Sequence, residues 1–251
     1  MTGAGRVAVV TGGSAGIGYS IAERLVGDGF RVVVLSSSEG SAEKAAAEIS
    51  ANGGTAIGYR ADVSDRAAVD AALASARAEL GPISVLVANA AIAPQRPFLE
   101  MTQEEWDRAI AINLTGTFNT VQSGLPDLVE AGWGRVVLIS SSSAQRGAPR
   151  MAHYAASKGG QLALTKALAV EFAKQGITVN TVVPSSIDTP SVQKKRAAGT
   201  IPSAEDMAKY IPVGRVGTGE DIAAAVSYLV SDEASYVTGQ TLSVNGGSFI
   251  G

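Results

Sequence analysis

Tyr154 and Lys158 stand four residues apart, and Ser141 lies thirteen residues before the tyrosine, inside the run Ser140 to Ser143. On a helix, side chains four apart share one face. A free tyrosine phenol titrates near pH ~10, too high to trade protons easily at neutrality. A neighbouring ammonium favours the phenolate and lowers that value. Tyr154 and Lys158 on one helix face could therefore form a tuned acid/base. Alone, the pair reads far more readily as two residues of a solvated helix, so its weight depends on the rest of the chain.

A second candidate is the turn Thr11-Gly12-Gly13-Ser14-Ala15-Gly16-Ile17-Gly18. It lies between an apolar run, Arg6 to Thr11, and a helical stretch from Ile17 to Gly27. Glycines at such a place permit a tight turn and a close backbone approach to a pyrophosphate. The following helix offers free N–H groups and the positive end of its dipole. The letters Gly12-x-Ser14-x-Gly16 also spell the nucleophile elbow of serine hydrolases. Three features weaken that reading. Only about ten residues precede the turn, whereas an elbow follows several strands. The single histidine, His153, is far from the C-terminal position that triad order would require. Its place at a helix start predicts a solvent-facing side chain.

The elements that must position these residues are legible in order. Strands are expected at Arg6–Thr11, Arg31–Leu35, Thr55–Arg60, Ile83–Ala88, Arg135–Ser140, Ile177–Val183 and Gln240–Val244. Helices are expected between them: Ser41–Ser50, Asp65–Leu80, Thr102–Asn113 continuing toward Val129, Tyr154–Lys174 and Glu220–Leu229. Continuous apolar strands alternating with helices mean parallel βαβ units with both sheet faces covered. The fold class is α/β, one doubly wound Rossmann domain over residues 1–251 with about seven parallel strands. An irregular polar insertion, Pro190 to Pro212, follows the sixth strand and reads as a substrate lid or, equally, as a surface excursion.

Composition narrows the function classes. The chain has 251 residues, 46% hydrophobic, with a net charge of −3 and no cysteine. No basic block speaks for nucleic acid or an anionic membrane surface. Without cysteine, thiol chemistry and thiolate metal sites are excluded, and with one histidine the metal repertoire is nearly empty, so no metal is expected. Met1 to Arg6 carries no leader pattern and no apolar run is long enough to span a membrane. A cytoplasmic protein is the expectation.

Taken together, the glycine turn, Asn89-Ala90-Ala91 and Ser141…Tyr154-x-x-x-Lys158 resemble the short-chain dehydrogenase/reductase family, most of all its 3-oxoacyl-carrier-protein reductase subgroup. The resemblance runs from Thr11 to Asn245-Gly246-Gly247. It implies an oxidoreductase moving a hydride between a nicotinamide cofactor and a carbonyl or secondary alcohol. Under it, Gly12, Gly16 and Gly18 form the cofactor turn, with Ser14 and Ile17 beside phosphates and nicotinamide. Asp62 and Val63 hold the adenine ring, Asn89 opens the NAG-like segment, and Ile187 and Thr189 meet the carboxamide. Asn113 holds a water of the proton relay, Ser141 orients the substrate oxygen, Tyr154 is the acid/base, and Lys158 tunes it and holds the ribose.

Family members that use NAD usually carry an aspartate at the end of the second strand. Here that place reads Ser36-Ser37-Ser38, so NADP(H) is favoured over NAD(H), although Ala15 and Ser37 lack the cations often found there. Departures from the family pattern are Ala91, Ser185 and Gly219, none of which removes a catalytic group. The helix from Tyr154 has apolar residues on more than one face, which implies a second partner and, by resemblance, a homotetramer. The expected partner is a small carbonyl or alcohol substrate. Arg146, Arg150 and Lys194-Lys195-Arg196 could meet an acidic carrier, though a solvated surface is the simpler reading. The alternative to an enzyme is a redox-sensing cofactor-binding module without turnover.

Overall fold

A computed structural model describes Gly3 and residues 5–250. The leader reading of Met1 to Arg6 therefore lies partly outside the described residues. The first half runs β1 (Val7–Thr11), α1 (Gly16–Gly27), β2 (Arg31–Ser36), α2 (Ser41–Ala51), β3 (Thr55–Arg60), α3 (Arg66–Leu80) and β4 (Ile83–Ala88). Next come α4 (Gln103–Ile110), a wide π-turn (Ala111–Thr115), α5 (Gly116–Ala131), β5 (Gly134–Ile139), α6 (Ser143–Arg146) and α7 (Ala152–Phe172). The chain closes with β6 (Ile177–Pro184), α8 (Pro190–Ala197), α9 (Ala204–Ala208), α10 (Gly219–Val230) and β7 (Thr241–Val244).

The seven strands form one parallel sheet in the order β3-β2-β1-β4-β5-β6-β7. Strand alternation divides the core in two. Ala8 and Val10 face the side covered by α1, α2 and α10, whereas Val7 and Val9 face the side of α3 and α5. Burying each Val, Leu or Ile contributes about 1.5–3 kcal/mol. The order reverses between β1 and β4, and in such sheets ligands bind beyond the carboxyl ends of the strands at that reversal.

Three expectations need correction. The helix expected to run unbroken from Thr102 is interrupted by the wide turn at Ala111–Thr115. The insertion after β6 is not irregular, because Thr189 and Ser203 each cap a short helix, α8 and α9. His153 does not face solvent: it is 0% exposed, and neither ring nitrogen has a hydrogen-bond partner among the described residues. Helix α7 begins at Ala152, so His153 already lies within it and shares the inward face with Ser157, four residues on.

Candidate active site

The glycine turn sits at the sheet reversal. Gly12 and Gly16 adopt φ of +63° and +56°, which disfavour any side chain. A Cβ on Gly18 would collide with the Gly12 carbonyl and the Asn89 side chain. Asn89 ties the two strand ends together, since its Nδ2 donates to the carbonyls of Thr11 at 3.0 Å and Gly12 at 3.2 Å. Gly16 approaches Thr189, the residue that caps α8, so the insertion packs over the turn. Ala15 precedes α1 without a side-chain cap. The first-turn N–H groups of a helix have no partner within it. These groups, packed against Gly12 and Gly18, form a cradle whose shape and polarity fit a dinucleotide pyrophosphate.

Beside the turn lies a cleft of about 180 Å³ lined by Gly12, Ser36, Ser37, Asp62 and Val63, with Arg108 on its rim. Ser36 Oγ is joined to Ser14 Oγ at 3.0 Å and Ser41 Oγ at 2.8 Å. Asp62 accepts from Ser64 Oγ and its backbone N–H, and these bonds, helped by Arg108, hold its carboxyl below the usual range. Val63 is buried, and its carbonyl accepts from Asn119. On the far side, Ile187 is buried and bridges to Gly217. The structure thus gathers the expected cofactor residues along the carboxyl edge of the sheet.

The four serines after β5 separate by what they touch. Ser140 is buried and donates to the Lys158 carbonyl at 2.9 Å, and Ser142 meets Ser185 at 3.3 Å. Ser141 is half-buried, with its Oγ accepting from the Ser143 N–H, and it is the serine that faces Tyr154. Enclosure pushes the Tyr154 phenol above the ordinary tyrosine range, and the Ser141 hydroxyl pulls it back. Lys158 is 1% exposed, and its Nζ donates to the Ile139 carbonyl at 2.6 Å. Burial without a carboxylate lowers its pKa to about 7. Its Nζ lies 5.9 Å from the Tyr154 ring centre. The ammonium pull expected from the spacing is therefore outweighed: the dry surroundings push both groups toward their neutral forms.

Asn113 is fully buried at the centre of the wide turn. Its Oδ1 accepts from the Ile92 N–H at 2.8 Å, and its Nδ2 donates to the Ile92 carbonyl and Ser157 Oγ. Its backbone carbonyl accepts from Thr117 Oγ1 and Gln161 Nε2. The water-holding role implied by resemblance thus falls to a residue whose polar groups already engage the protein. Sequence reading missed Ser140, Ser157 and Gln161. The signal was present: Tyr154, Ser157, Lys158, Gln161 and Thr165 follow helical spacing and form one stripe.

A family model described as enoyl-(acyl carrier protein) reductase matches residues 12–248. The chain belongs to the short-chain dehydrogenase/reductase family. An acetoacetyl-CoA reductase of Shinella zoogloeoides is 43% identical over 244 residues, covering 97% of this chain and 98% of that protein. A 3-oxoacyl-acyl-carrier-protein reductase of Salmonella typhimurium is 39% identical over 246 residues, 98% of each chain. A 2-(S)-hydroxypropyl-CoM dehydrogenase of Xanthobacter autotrophicus is 38% identical over 244 residues, 96% of this chain and 95% of that one. As a member of this family, the protein is an NAD(P)-dependent oxidoreductase that transfers a hydride between a nicotinamide and a carbonyl or secondary alcohol. The non-catalytic redox-sensing alternative finds no support in these relatives.

Proposed function

We propose that this enzyme is an NADP(H)-dependent reductase of 3-oxoacyl thioesters, built as a cytoplasmic homotetramer. The observation that carries the chemistry is Ser141 facing Tyr154 across the β5–α7 gap, with Lys158 buried beneath. The substrate class is supported by the relatives named as acetoacetyl-CoA and 3-oxoacyl-carrier-protein reductases. Serines replace the ribose-binding aspartate at Ser36 and Ser37, which favours NADP(H).

When bound, the dihydronicotinamide supplies the hydride. Ser141 Oγ donates a hydrogen bond to the carbonyl oxygen and strengthens it as negative charge grows there. Tyr154 Oη delivers the proton, its phenol being held protonated until the oxygen becomes basic. Lys158, in its protonated form, would stabilise the phenolate left on Tyr154 and would hold the ribose hydroxyls. Asn113 fixes the Ile92 segment to α7 through Ser157, which accepts from Asn113 and donates to the Tyr154 carbonyl. Gly12, Ser14, Gly16, Ile17 and Gly18 take the pyrophosphate, Asp62 and Val63 the adenine, and Asn89, Ile187 and Thr189 the nicotinamide half. The 190–212 insertion, capped over the glycine turn, acts as the lid.

Assembly is supported by an apolar face. Phe118 is 45% exposed and lines two surface hollows, with Leu114 and Leu164 in one and Leu164 and Phe172 in the other. The test is a panel of 3-oxoacyl thioesters and simple ketones, followed at the nicotinamide absorbance with NADPH and NADH, on material of known scattering mass. NADPH oxidation by the thioesters and a four-chain mass are expected. Turnover confined to other carbonyls, a clear preference for NADH, or a single-chain mass would each sink the corresponding part.

A further inference from the structure

The register of β2 against β3 pairs Ser36 with Arg60, so the arginine stands at the same sheet edge as the serine loop. Its Nε donates to the Ser37 carbonyl at 3.3 Å. This bond ties the guanidinium to the backbone of Ser37, which lines the cleft together with Ser36 and with Ala61, the residue after Arg60. Arg60 takes part in no ion pair among the described residues, and its terminal nitrogens make no hydrogen bond there. The loop's own carboxylate, Glu39, is exposed and does not pair with it. The cleft's carboxylate, Asp62, is occupied by Ser64. An arginine tethered by a backbone carbonyl, with an open fork and no counter-ion, suits a phosphate.

We propose that Arg60 reads the adenosine ribose: its guanidinium selects a 2′-phosphorylated dinucleotide over one with a free 2′-hydroxyl. This rests on the NADP(H) reading above. It also explains how that reading survives at Ala15 and Ser37, which bring no cation: β3 supplies the charge instead of the glycine turn or the β2 loop. Ser36 and Ser37 add neutral donors to the same group.

The test is calorimetric titration with adenosine 2′,5′-bisphosphate and with 5′-AMP, on the wild-type protein, R60A and R60K. The wild type should bind the bisphosphate more tightly, with the preference shrinking as salt rises. In R60A the bisphosphate should weaken by about tenfold or more, the range of a charge-assisted contact, while 5′-AMP is unchanged. R60K should retain part of the preference. If the wild type shows no preference for the bisphosphate, the NADP(H) reading fails and the proposal falls with it. If the preference persists in R60A, the NADP(H) reading stands and the assignment of Arg60 is overturned. Equal weakening of both ligands in R60A would also overturn it, because the loss would not be specific to the 2′-phosphate.

Discussion

Helices α7 and α10 lie against the same sheet and turn opposite kinds of side chain inward. Helix α10 buries Ile222, Ala223, Val226, Leu229 and Val230. Helix α7 buries His153, Ser157, Lys158, Gln161 and Thr165, and of its apolar residues only Ala169 is fully enclosed. Its Val170 is largely in water. The first helix binds the sheet by removing apolar area from water. The second is fixed by directed bonds: Lys158 to the Ile139 carbonyl, Gln161 to the Asn113 carbonyl and Thr117, and Ser157 to Asn113. Burial of polar groups costs free energy unless each finds a partner, so such a face specifies position more than it adds stability.

The comparison can be broken at its sharpest point first. Tyr154→Phe should lower kcat by about 10²- to 10⁴-fold, the usual contribution of a positioned acid, with little change in thermal midpoint. Carbonyl reduction retained in steady-state assays of that variant would refute the assigned role. Leu229→Ala on α10 should do the reverse. It should cost about 2–5 kcal/mol in denaturant unfolding and leave turnover per folded molecule near the wild-type value. A large loss of turnover with unchanged stability would undo the division of labour between the two helices.

The smallest effect concerns pH. Lys158 has a pKa of about 7 in the folded protein against 10.5 for an ordinary lysine. The unfolded chain therefore binds the extra proton between these values, and stability rises with pH across that window. Below about pH 7 both states are protonated and the full penalty is present. Lys158→Met should be more stable than the wild type near pH 6, with the advantage shrinking steadily toward pH 9.5. Parallel unfolding free energies for the two proteins over that range would show that Lys158 carries no such penalty.

Much of this was legible in residue order. The β-branched runs at Val7–Thr11, Ile83–Ala88 and Ile177–Pro184 are buried along their whole length apart from Ser84. That is what a sheet covered on both faces demands, and it is why the doubly wound reading holds. The glycine turn was legible because its strand and helix neighbours were. The polar stripe of α7 was not, because periodic polar residues ordinarily mark the solvated face, and the reversed sense needs the partners on β5 and the wide turn. His153 was misplaced for the same reason. Arg60 escaped because its link to Ser37 depends on strand register, which local sequence does not state.

The wide turn at Ala111–Thr115 has one more consequence. An added residue in a helix advances everything after it by about 100° around the axis. Arg108 and Ile112 line the serine cleft, whereas Phe118, Val121 and Leu125 line a hollow shared with Leu164 and Leu168 of α7. The helical phase thus changes across the wide turn, and one length of chain serves two seams. The carbonyl of Asn113 is where the two phases meet. Deleting one residue there would restore a regular helix and set every contact of α5 against the wrong neighbour.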